Sequence, residues 1–349
     1  MSEGSSARKL LVDVRAIASA FTVTGEALAE LAAEEAQGWR VHVAESETIS
    51  DGDSSSRTST EVLCEIADAE VYFGFGIPRE LFLAAPRLKW VHSASAGVGA
   101  VLFEEMRSSD VLLTNSAGIY GPPIAEHVLA GILHFLRDLD VAVAGQMAHR
   151  WEKPVTTGAG STVRSLSGRR VLIVGTGGIG SEIASRLTAL GARCSGIRRR
   201  PELGTPKGFE RVTGVGQLDE ELAVADIVVL AAPATRETTA ILNEGRIALL
   251  RRGAIVVNVA RGTLVDEGAL IAALREGRIR GAFLDVVQNE PLPPDDPLWS
   301  QRGVFITPHV SGVSPEWFWQ REMTLFLDNW RRYRAGMPLH NLVDKKAGY

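Results

Sequence analysis

The chain has 349 residues, of which 45% are hydrophobic and 23% charged, and its formal net charge is −5. This composition excludes a wholly disordered chain, a collagen and a small disulfide scaffold, and the length suggests two domains. The negative charge argues against nucleic acid as the main partner, because binding to a phosphate backbone needs a basic surface.

The cysteines and the N-terminus bear on the cellular compartment. Cys64 and Cys194 are too few for a zinc-ligand cluster, and both lie in apolar-rich segments, so we expect buried, reduced thiols. Met1–Arg8 is polar, without the apolar core of a signal peptide. No apolar run approaches the roughly 20 residues of a membrane span. We therefore expect a cytoplasmic protein that does not bind a membrane.

In the first third of the chain, short apolar runs alternate with helix-like segments, which indicates an α/β fold with parallel sheets. Helical spacing of apolar residues predicts a helix over Thr24–Gln37. A composition rich in Ser, Asp and Gly predicts a surface loop over Ser46–Thr60. The predicted strands are Leu10–Val14, Val41–Ala44, Val71–Phe73, Leu88–His92 and Val111–Asn115.

A long helix is predicted over Ile124–Met147, after Pro122 and Pro123, since proline suits the first turn of a helix. Its apolar residues cover more sides than one neighbouring surface needs. We therefore expect this helix at a contact between domains or subunits, with a homodimer formed through the region Gly121–Met147.

The second part of the chain has the more regular alternation of strands and helices. A final amphipathic helix is predicted over Pro315–Tyr333. The predicted strands are Arg170–Val174, Arg193–Ile197, Ile227–Ala231, Ala254–Val259, Gly281–Val286 and Val304–Thr307.

A GxGxxG motif stands between the first strand of this second part and the helix that follows it. In that context Gly175 allows a tight turn, Gly177 lets the backbone approach a pyrophosphate, and Gly180 lets the helix pack close to the strand. The pyrophosphate then meets the free N–H groups of the helix N-terminus. A strand–helix turn without a ligand is the alternative. The expected dinucleotide contacts are Gly175, Gly177, Gly178, Ile179 and Gly180.

The end of the next strand bears on the choice of cofactor. An NAD site places an acidic residue about 20 residues downstream of the glycines to accept from the ribose hydroxyl. Arg198 stands there, followed by Arg199 and Arg200. Because guanidinium groups pair well with a phosphate, these arginines favour NADP, with NAD as the second choice. A solvated basic turn is the alternative interpretation.

Three further motifs end successive predicted strands: Asn258–Gly262, Asp285–Leu292 and Thr307–Gly312. They contribute one arginine, one glutamate and one histidine to the same edge of a parallel sheet, where ligands of such sheets bind. Each residue alone could be structural, but the three in this order indicate one site. They are Arg261, Glu290 and His309.

With GxGxxG, NxARG, DVxxxEPL and TPHxSG in this order, the chain resembles the D-2-hydroxyacid dehydrogenase family from about Leu10 to Val343. This family includes glyoxylate/hydroxypyruvate reductases and phosphoglycerate dehydrogenases. The resemblance implies hydride transfer between a nicotinamide cofactor and a small 2-oxo or 2-hydroxy acid. His309 would act as the acid/base, Glu290 would orient it, and Arg261 would bind the substrate carboxylate.

The resemblance also implies a substrate loop near the amino-terminal strands. Backbone N–H groups of Ala96 and Gly97 would hold the substrate carboxylate, in a segment of small residues that lets the backbone come close. Gly99 departs from the acid or Asn that the family usually has there, which leaves the support of the loop open. A plain strand–helix turn is the alternative.

Matching of motif positions implies the remaining cofactor contacts. Asp285 has an alternative role as a capping or loop residue. Val287 stands where the family has a bulkier residue, and the cluster Trp317–Trp319 suits the core or a subunit interface better than the substrate pocket. The remaining histidines show no metal-ligand spacing, so no metal is expected. The implied cofactor contacts are Arg198, Arg199, Pro233, Thr238, Val259, Ala260, Arg261, Asp285, His309, Ser311 and Gly312.

The expected fold is α/β with two Rossmann-like domains. A doubly wound NAD(P)-binding sheet, residues 121–307, is inserted into a flavodoxin-like substrate domain made of residues 1–120 and 308–349. A different class of function also fits this fold: the family includes corepressors that sense a dinucleotide and recruit partners without dehydrogenase activity.

Overall fold

The computed structural model describes residues 8–16, 21–33, 38–47 and 56–348. The chain divides into two compact units, which we call the first unit (Met1–Tyr120 with Val313–Tyr349) and the second unit (Gly121–Gly312). The second boundary falls after Gly312 and not after Thr307 as predicted. The reason is local: the backbone N–H groups of Val310 and Ser311 donate to Asp285 in the second unit.

Within the described residues, the first unit contains a five-stranded parallel sheet in the order β2-β1-β3-β4-β5. This is the 2-1-3-4-5 order of flavodoxin-like folds, as predicted. The central strands Val71–Gly74 and Trp90–Ser93 are wholly buried, because helices cover both faces of such a sheet, whereas the edge strand Trp39–Val43 is mostly half-buried. The strands are β1 (Arg8–Asp13), β2 (Trp39–Val43), β3 (Val71–Gly74), β4 (Trp90–Ser93) and β5 (Leu112–Asn115).

The helices of the first unit come from both ends of the chain. The carboxyl-terminal helix packs its aromatic face on the sheet, where the ring of Phe326 stacks on Phe73 with the centroids 4.1 Å apart and on Trp90 at 5.7 Å. Phe318 and Trp319 are 3% exposed and belong to this core, whereas Trp317 is 51% exposed. The helices are α1 (Gly25–Ala33), α2 (Thr60–Glu65), α3 (Arg79–Leu83), α4 (Glu104–Ser108) and α12 (Phe318–Arg334).

A fully buried polar pair joins α12 to the sheet. Nε2 of His92 lies 2.9 Å from Oε1 of Glu322, and its Nδ1 lies 2.7 Å from the hydroxyl of Thr114. Neither side chain has any exposed surface. Such a pair fixes the packing register of α12 on β4 and β5, since a shift would leave buried polar groups without partners.

The second unit, in its described residues, contains a seven-stranded parallel sheet in the order β12-β11-β10-β9-β6-β7-β8. The order reverses direction beside β6, which is the doubly wound arrangement predicted from the motifs. The strand β8 was missed, because its three residues carry a single large apolar side chain. The strands are β6 (Arg170–Val174), β7 (Arg193–Ile197), β8 (Arg211–Thr213), β9 (Ile227–Leu230), β10 (Ala254–Asn258), β11 (Ile279–Leu284) and β12 (Val304–Ile306).

The predicted helix Ile124–Met147 is wrong as a single element, because the chain forms two helices there. Asp138, between them, has a left-handed backbone with φ of 52°. Its carboxylate accepts from Thr162 Oγ1 at 2.7 Å and from Arg280 Nη2 at 2.8 Å, so tertiary bonds stabilise the break. The helices of the unit are α5 (Gly121–Leu136), α6 (Leu139–Met147), α7 (Lys153–Thr157), α8 (Gly178–Ala189), α9 (Leu218–Val224), α10 (Glu244–Leu249) and α11 (Glu267–Arg275).

One of the two cysteine predictions is wrong. Cys194 on β7 is buried, and burial raises the pKa of its thiol, but Cys64 is exposed. Val62 within α2 and Ile66 at the carboxyl end of this helix are buried and lie on one face. Cys64 lies on the opposite face. Parts of three other predictions lie outside the described residues: 1–7 of the polar N-terminus, 34–37 of the first helix and 48–55 of the surface loop.

The carboxyl of Asp13, at the end of β1, makes the stability of the chain depend on pH. Burial raises its pKa to about 6, against the opposing effect of a 2.8 Å hydrogen bond donated by the Tyr72 hydroxyl. The pKa in the folded state is thus higher than the 3.8 of an ordinary aspartate. The folded chain therefore binds this proton more tightly than the unfolded chain, and stability falls as pH rises between these two values.

We predict that Asp13→Asn stabilises the chain at neutral and higher pH. The gain in free energy of unfolding should be about 3 kcal/mol near pH 8 and should shrink towards pH 4, where the native carboxyl is protonated. Urea unfolding of both proteins over this pH range measures the difference. The exposed carboxylate of Glu80 on α3 provides the control, since Glu80→Gln should leave the pH profile unchanged. A constant difference between Asp13→Asn and the native chain would contradict the assignment.

Candidate functional site

The glycine-rich turn follows β6 directly and leads into α8. Gly175 has a φ of 102°, and a Cβ there would lie 2.5 Å from the carbonyl oxygen of Ala231. A Cβ at Gly180 would lie 2.0 Å from the carbonyl oxygen of Gly175, so only glycine allows the helix to start this close to the strand.

Space for a ligand lies beside the middle of this turn. A Cβ built on Gly177 meets no atom within 4 Å, and α8 begins at Gly178 and Ile179 with unpaired backbone N–H groups. The hydroxyl of Thr176 is buried without a hydrogen-bond partner in the described part of the chain. These features fit an oxyanion at the helix N-terminus, and they are what a dinucleotide pyrophosphate requires.

Arg198 and Arg199 follow β7 at the same edge of the sheet. The backbone N–H of Arg198 donates to the carbonyl oxygen of Thr213 on β8 at 3.0 Å. The strand β8, which was not predicted from the sequence, thus fixes the start of the basic turn Arg198–Arg200. The side chain of Arg198 is half-buried, and that of Arg199 is exposed. The sequence Arg198–Arg200 places three positive charges beside the edge where the glycine-rich turn lies.

The turn after β9 is held by side-chain hydrogen bonds. The hydroxyl of Thr238 donates to the carbonyl oxygen of Pro233 and accepts from the backbone N–H of Thr235, both at 2.7 Å. Pro233 and Thr238 thus belong to one compact turn at the carboxyl edge, next to β6. Their predicted contact with the cofactor stays a prediction.

The segment after β10 is locked by Asn258. Its side-chain amide donates to the carbonyl oxygen of Arg261 at 2.9 Å, and its Oδ1 accepts from the N–H of Ala260 at 3.1 Å. Val259 and Ala260 are buried, and Arg261 is half-buried with Nη1 2.7 Å from the carbonyl oxygen of Ala260. Asn258 therefore explains the first position of the NxARG motif as a support for the arginine.

The loops after β10 and β11 touch each other. A Cβ on Gly262 would lie 1.9 Å from the carbonyl carbon of Val287, which requires glycine after Arg261. Val287 itself is buried at 7% exposure. The arginine segment and the segment that carries Glu290 are thus neighbours at one edge of the sheet.

The carboxylate of Asp285 organises the turn after β12. Its Oδ1 accepts from the Thr307 hydroxyl at 2.6 Å and from the N–H of Val310 at 3.0 Å, and its Oδ2 accepts from the N–H of Ser311 at 3.0 Å. The side chain has no exposed surface. These contacts favour the alternative of a loop-organising aspartate, while a role at the nicotinamide stays a prediction.

His127 on α5 extends this network. The Thr307 hydroxyl gives its proton to Asp285, so its oxygen accepts from Nε2 of His127 at 2.9 Å. Burial lowers the pKa of His127, and the nearby Asp285 carboxylate works against this shift. The sequence did not indicate that Thr307 and His127 belong to the network around Asp285. Thr307 lies within a motif that was assigned to other residues, and His127 lies on a helix distant in the chain.

His309 and Glu290 form a hydrogen-bonded pair. Nδ1 of His309 lies 2.7 Å from Oε2 of Glu290, and the other oxygen of Glu290 accepts from the N–H of Val287 at 3.1 Å. About a third of each side chain is exposed, 32% for the histidine and 36% for the glutamate. His309 has a left-handed φ of 54°, an unfavourable conformation for a histidine that its surroundings must stabilise.

In the first unit, the segment Ala96–Gly97 follows β4. The side-chain amide of Asn115 donates to the carbonyl oxygen of Ala96 at 2.6 Å, and the Tyr120 hydroxyl donates to that of Ala94 at 2.6 Å. Asn115 thus supports the loop Ala96–Gly97, which Gly99 cannot do because it has no side chain. This support could not be inferred from the sequence, because Asn115 lies at the end of a different strand.

The described residues contain no group of three or more His, Cys, Asp or Glu side chains that could hold a metal ion. In that same part of the chain, none of the helices combines the length and apolar character needed to cross a bilayer.

The fold and the carboxyl edge of the second unit define a dinucleotide-binding α/β protein. Residues 129–311 match the family model described as "D-isomer specific 2-hydroxyacid dehydrogenase, NAD binding domain". The chain belongs to the D-isomer specific 2-hydroxyacid dehydrogenase family, and this match confirms the family and the fold class expected from the motifs.

Curated relatives and solved structures agree with this family. The D-3-phosphoglycerate dehydrogenase of Mycobacterium leprae is 33% identical over 260 residues, 74% of this chain and 48% of that relative, so the chain spans about half its length. The glyoxylate reductase of Korarchaeum cryptofilum is 32% identical over 280 residues, 78% of this chain and 80% of that relative.

A similar solved structure is the NADPH-dependent glyoxylate/hydroxypyruvate reductase of Sinorhizobium meliloti in complex with NADP and sulfate. It is 26% identical, has a TM-score of 0.79, and the match covers 98% of this chain and 100% of that one. The second unit thus carries the NAD-binding domain of the family.

Proposed function

We propose that the protein is a cytoplasmic D-2-hydroxyacid dehydrogenase that prefers NADPH and reduces a small 2-oxo acid of the glyoxylate or hydroxypyruvate type. The observation that carries this proposal is the 2.7 Å contact between Nδ1 of His309 and Glu290, at the sheet edge that also holds the glycine-rich turn. A proton donor and a dinucleotide cradle at one edge are what reduction of a carbonyl needs.

The pair His309–Glu290 serves as the proton donor. With Nδ1 bonded to the carboxylate, Nε2 is the nitrogen that faces the substrate carbonyl oxygen. The imidazolium donates a proton from Nε2 as negative charge grows on that oxygen. The N–H of Val287 holds Glu290 in place, so the ring has one orientation.

Arg261 binds the substrate carboxylate and carbonyl oxygen through its planar guanidinium. The bond from Asn258 to the carbonyl oxygen of Arg261 fixes the backbone from which this side chain extends. The N–H groups of Ala96 and Gly97 offer a second carboxylate site in the first unit, supported by Asn115.

The cofactor is held by the glycine-rich turn with Arg198 and Arg199 at its adenosine end. The reduced nicotinamide supplies the hydride that the carbonyl carbon accepts. Arginines where an NAD site would have an acid support a preference for NADP, since they pair with a ribose phosphate. The NADP in the S. meliloti reductase supports the same cofactor for this chain.

We propose a glyoxylate-like substrate because a relative named glyoxylate reductase covers most of both chains. Glyoxylate and hydroxypyruvate have small side groups. Reduction is the expected direction because the NADP pool of cells is usually kept reduced.

We also propose that the protein forms a homodimer through the region Gly121–Met147. Leu139, Val143 and Met147 recur every fourth residue along one face of α6 and are 46%, 56% and 79% exposed. A row of exposed large apolar side chains on one helix face is typical of a subunit contact.

His309→Gln should lower kcat for 2-oxo acid reduction by roughly 100-fold or more, because the variant cannot deliver the proton. Steady-state kinetics with glyoxylate and NADPH measure this effect. His340→Gln changes an exposed histidine of the first unit whose ring pairs with Asp328, and serves as the control. Near-native kcat in His309→Gln would refute the proposed proton donor.

Arg198→Asp should shift the preference from NADPH towards NADH, since the new carboxylate repels a ribose phosphate and accepts from a ribose hydroxyl. The ratio of kcat/KM for the two cofactors measures the shift, which we expect to be at least about tenfold. Arg302→Asp makes the same change of charge in the turn before β12 and is the control. An unchanged ratio in Arg198→Asp would contradict the cofactor assignment.

Val143→Asp should convert a dimer into a monomer, because a charge would be buried in the contact. Light scattering after gel filtration gives the molar mass. Leu83→Asp, on an exposed face of α3, should leave the mass unchanged. A native chain that is monomeric, or a Val143→Asp protein that stays dimeric, would show that α6 is not the contact.

A further inference from the structure

A cavity of about 190 Å³ lies at the amino ends of the strands of the second unit. Its lining includes Arg169 before β6, Asp226 before β9, Arg251 and Arg252 before β10, and Arg280 near the start of β11. All these strands are parallel, so the cavity lies at the sheet edge opposite the glycine-rich turn. It belongs to neither the cofactor site nor the His309–Glu290 pair.

The cavity is strongly basic. Five arginines and one carboxylate line it, the fifth arginine being Arg164. Arg251 pairs with Asp226, and Arg280 pairs with Asp138 and Asp140 outside the lining. Arg164, Arg169 and Arg252 have no carboxylate within ion-pair distance in the described ranges. Nη1 of Arg164 donates to the carbonyl oxygens of Ser161 and Val163, and Nε of Arg169 donates to that of Ser165, so none of the three charges is neutralised by an anion.

Favourable interaction with helix dipoles does not explain the positive charges of Arg164, Arg169 and Arg252. Cations near helix C-termini are stabilising, and α5 and α10 both end at this edge. Arg278 stabilises the end of α10 in this way, since its Nη1 donates to the carbonyl oxygen of Ala248 in the last turn of this helix at 2.8 Å. Arg252 does not: it is exposed, and its guanidinium makes no hydrogen bond within the described residues.

We propose that this cavity binds the phosphate group of a small phosphorylated molecule. Three guanidinium groups without a carboxylate partner match a group with a charge near −2 and three acceptor oxygens better than a single carboxylate. The volume lies below the roughly 300–1,000 Å³ of pockets for drug-sized ligands, which favours a small molecule over a nucleotide. The buried side chains of Phe135, Leu136 and Ile255 also line the cavity and suit a short apolar part of the ligand.

Phosphate and dinucleotide can bind at the same time. The five residues of β6 separate Arg169 from the glycine-rich turn. At about 3.3 Å per residue this strand spans roughly 16 Å, so a small phosphate at one end does not reach the other. Binding in the cavity is thus measurable on a chain already saturated with NADPH.

Isothermal titration with inorganic phosphate and with phenyl phosphate, at constant ionic strength and with NADPH present, tests the proposal. We expect saturable binding of one anion per chain, tighter for phenyl phosphate because of the apolar wall. Arg252→Ala should weaken binding by about tenfold or more, since it removes a charge-assisted contact. Arg252 is exposed and makes no side-chain bond in the described part, so this variant should keep its fold.

Arg302→Ala is the matched control: it removes an exposed arginine at the same edge but outside the cavity lining, and binding should stay as in the native chain. Absence of saturable binding would overturn the proposal. So would binding that Arg252→Ala leaves unchanged, or binding that Arg198→Ala or Arg261→Gln abolishes, because the anion would then lie at the carboxyl edge. None of these outcomes depends on dehydrogenase activity, which could fail while the cavity still binds phosphate.

Discussion

The buried carboxylate of Asp285 is the constraint on which the geometry of the candidate site depends. It comes at the end of β11, and its oxygens accept from the Thr307 hydroxyl and from the N–H groups of Val310 and Ser311. A carboxylate with no exposed surface is stable only when such donors surround it. The turn must therefore close around Asp285, and His309 lies within it with a left-handed backbone that would be unfavourable alone.

Each catalytic candidate in the second unit has a support of the same kind. Asn258 fixes the backbone of Arg261, and the N–H of Val287 holds Glu290. Gly262 lets the two loops approach to a distance that any side chain would prevent. Orientation of the reacting groups accounts for much of the rate of such reactions. The residues that support the catalytic candidates are therefore as important to the motifs as the reacting residues themselves.

Positive charge is concentrated at both edges of the sheet of the second unit, although the net charge of the chain is −5. Arg198, Arg199 and Arg261 lie at the carboxyl edge, beside the glycine-rich turn and the His309–Glu290 pair. Arg164, Arg169 and Arg252 lie around the cavity at the amino edge. Mild overall acidity thus coexists with two local surfaces that suit anions.

The sequence was most informative where local chemistry decides the structure. The limits of β6 and β7 were predicted to the residue, those of β6 because an apolar run after a charged residue marks a buried strand. The strand-end motifs placed Arg261, Glu290 and His309 at one edge. The break at Asp138 could not be predicted, since it depends on Arg280, far along the chain. The partners of Asp285, the support of Ala96 by Asn115 and the exposure of Cys64 also depend on tertiary packing, which single-sequence patterns do not encode.

The central claim is that the carboxyl edge of the second unit reduces a 2-oxo acid with a bound nicotinamide. Its most direct test supplies the native chain with NADPH or NADH and a panel of 2-oxo acids that differ in side group, and follows the absorbance of the reduced nicotinamide. The account predicts oxidation of NADPH that depends on the acid and is fastest with glyoxylate or hydroxypyruvate. Tight dinucleotide binding without turnover of any acid would contradict it and favour a protein that senses the dinucleotide.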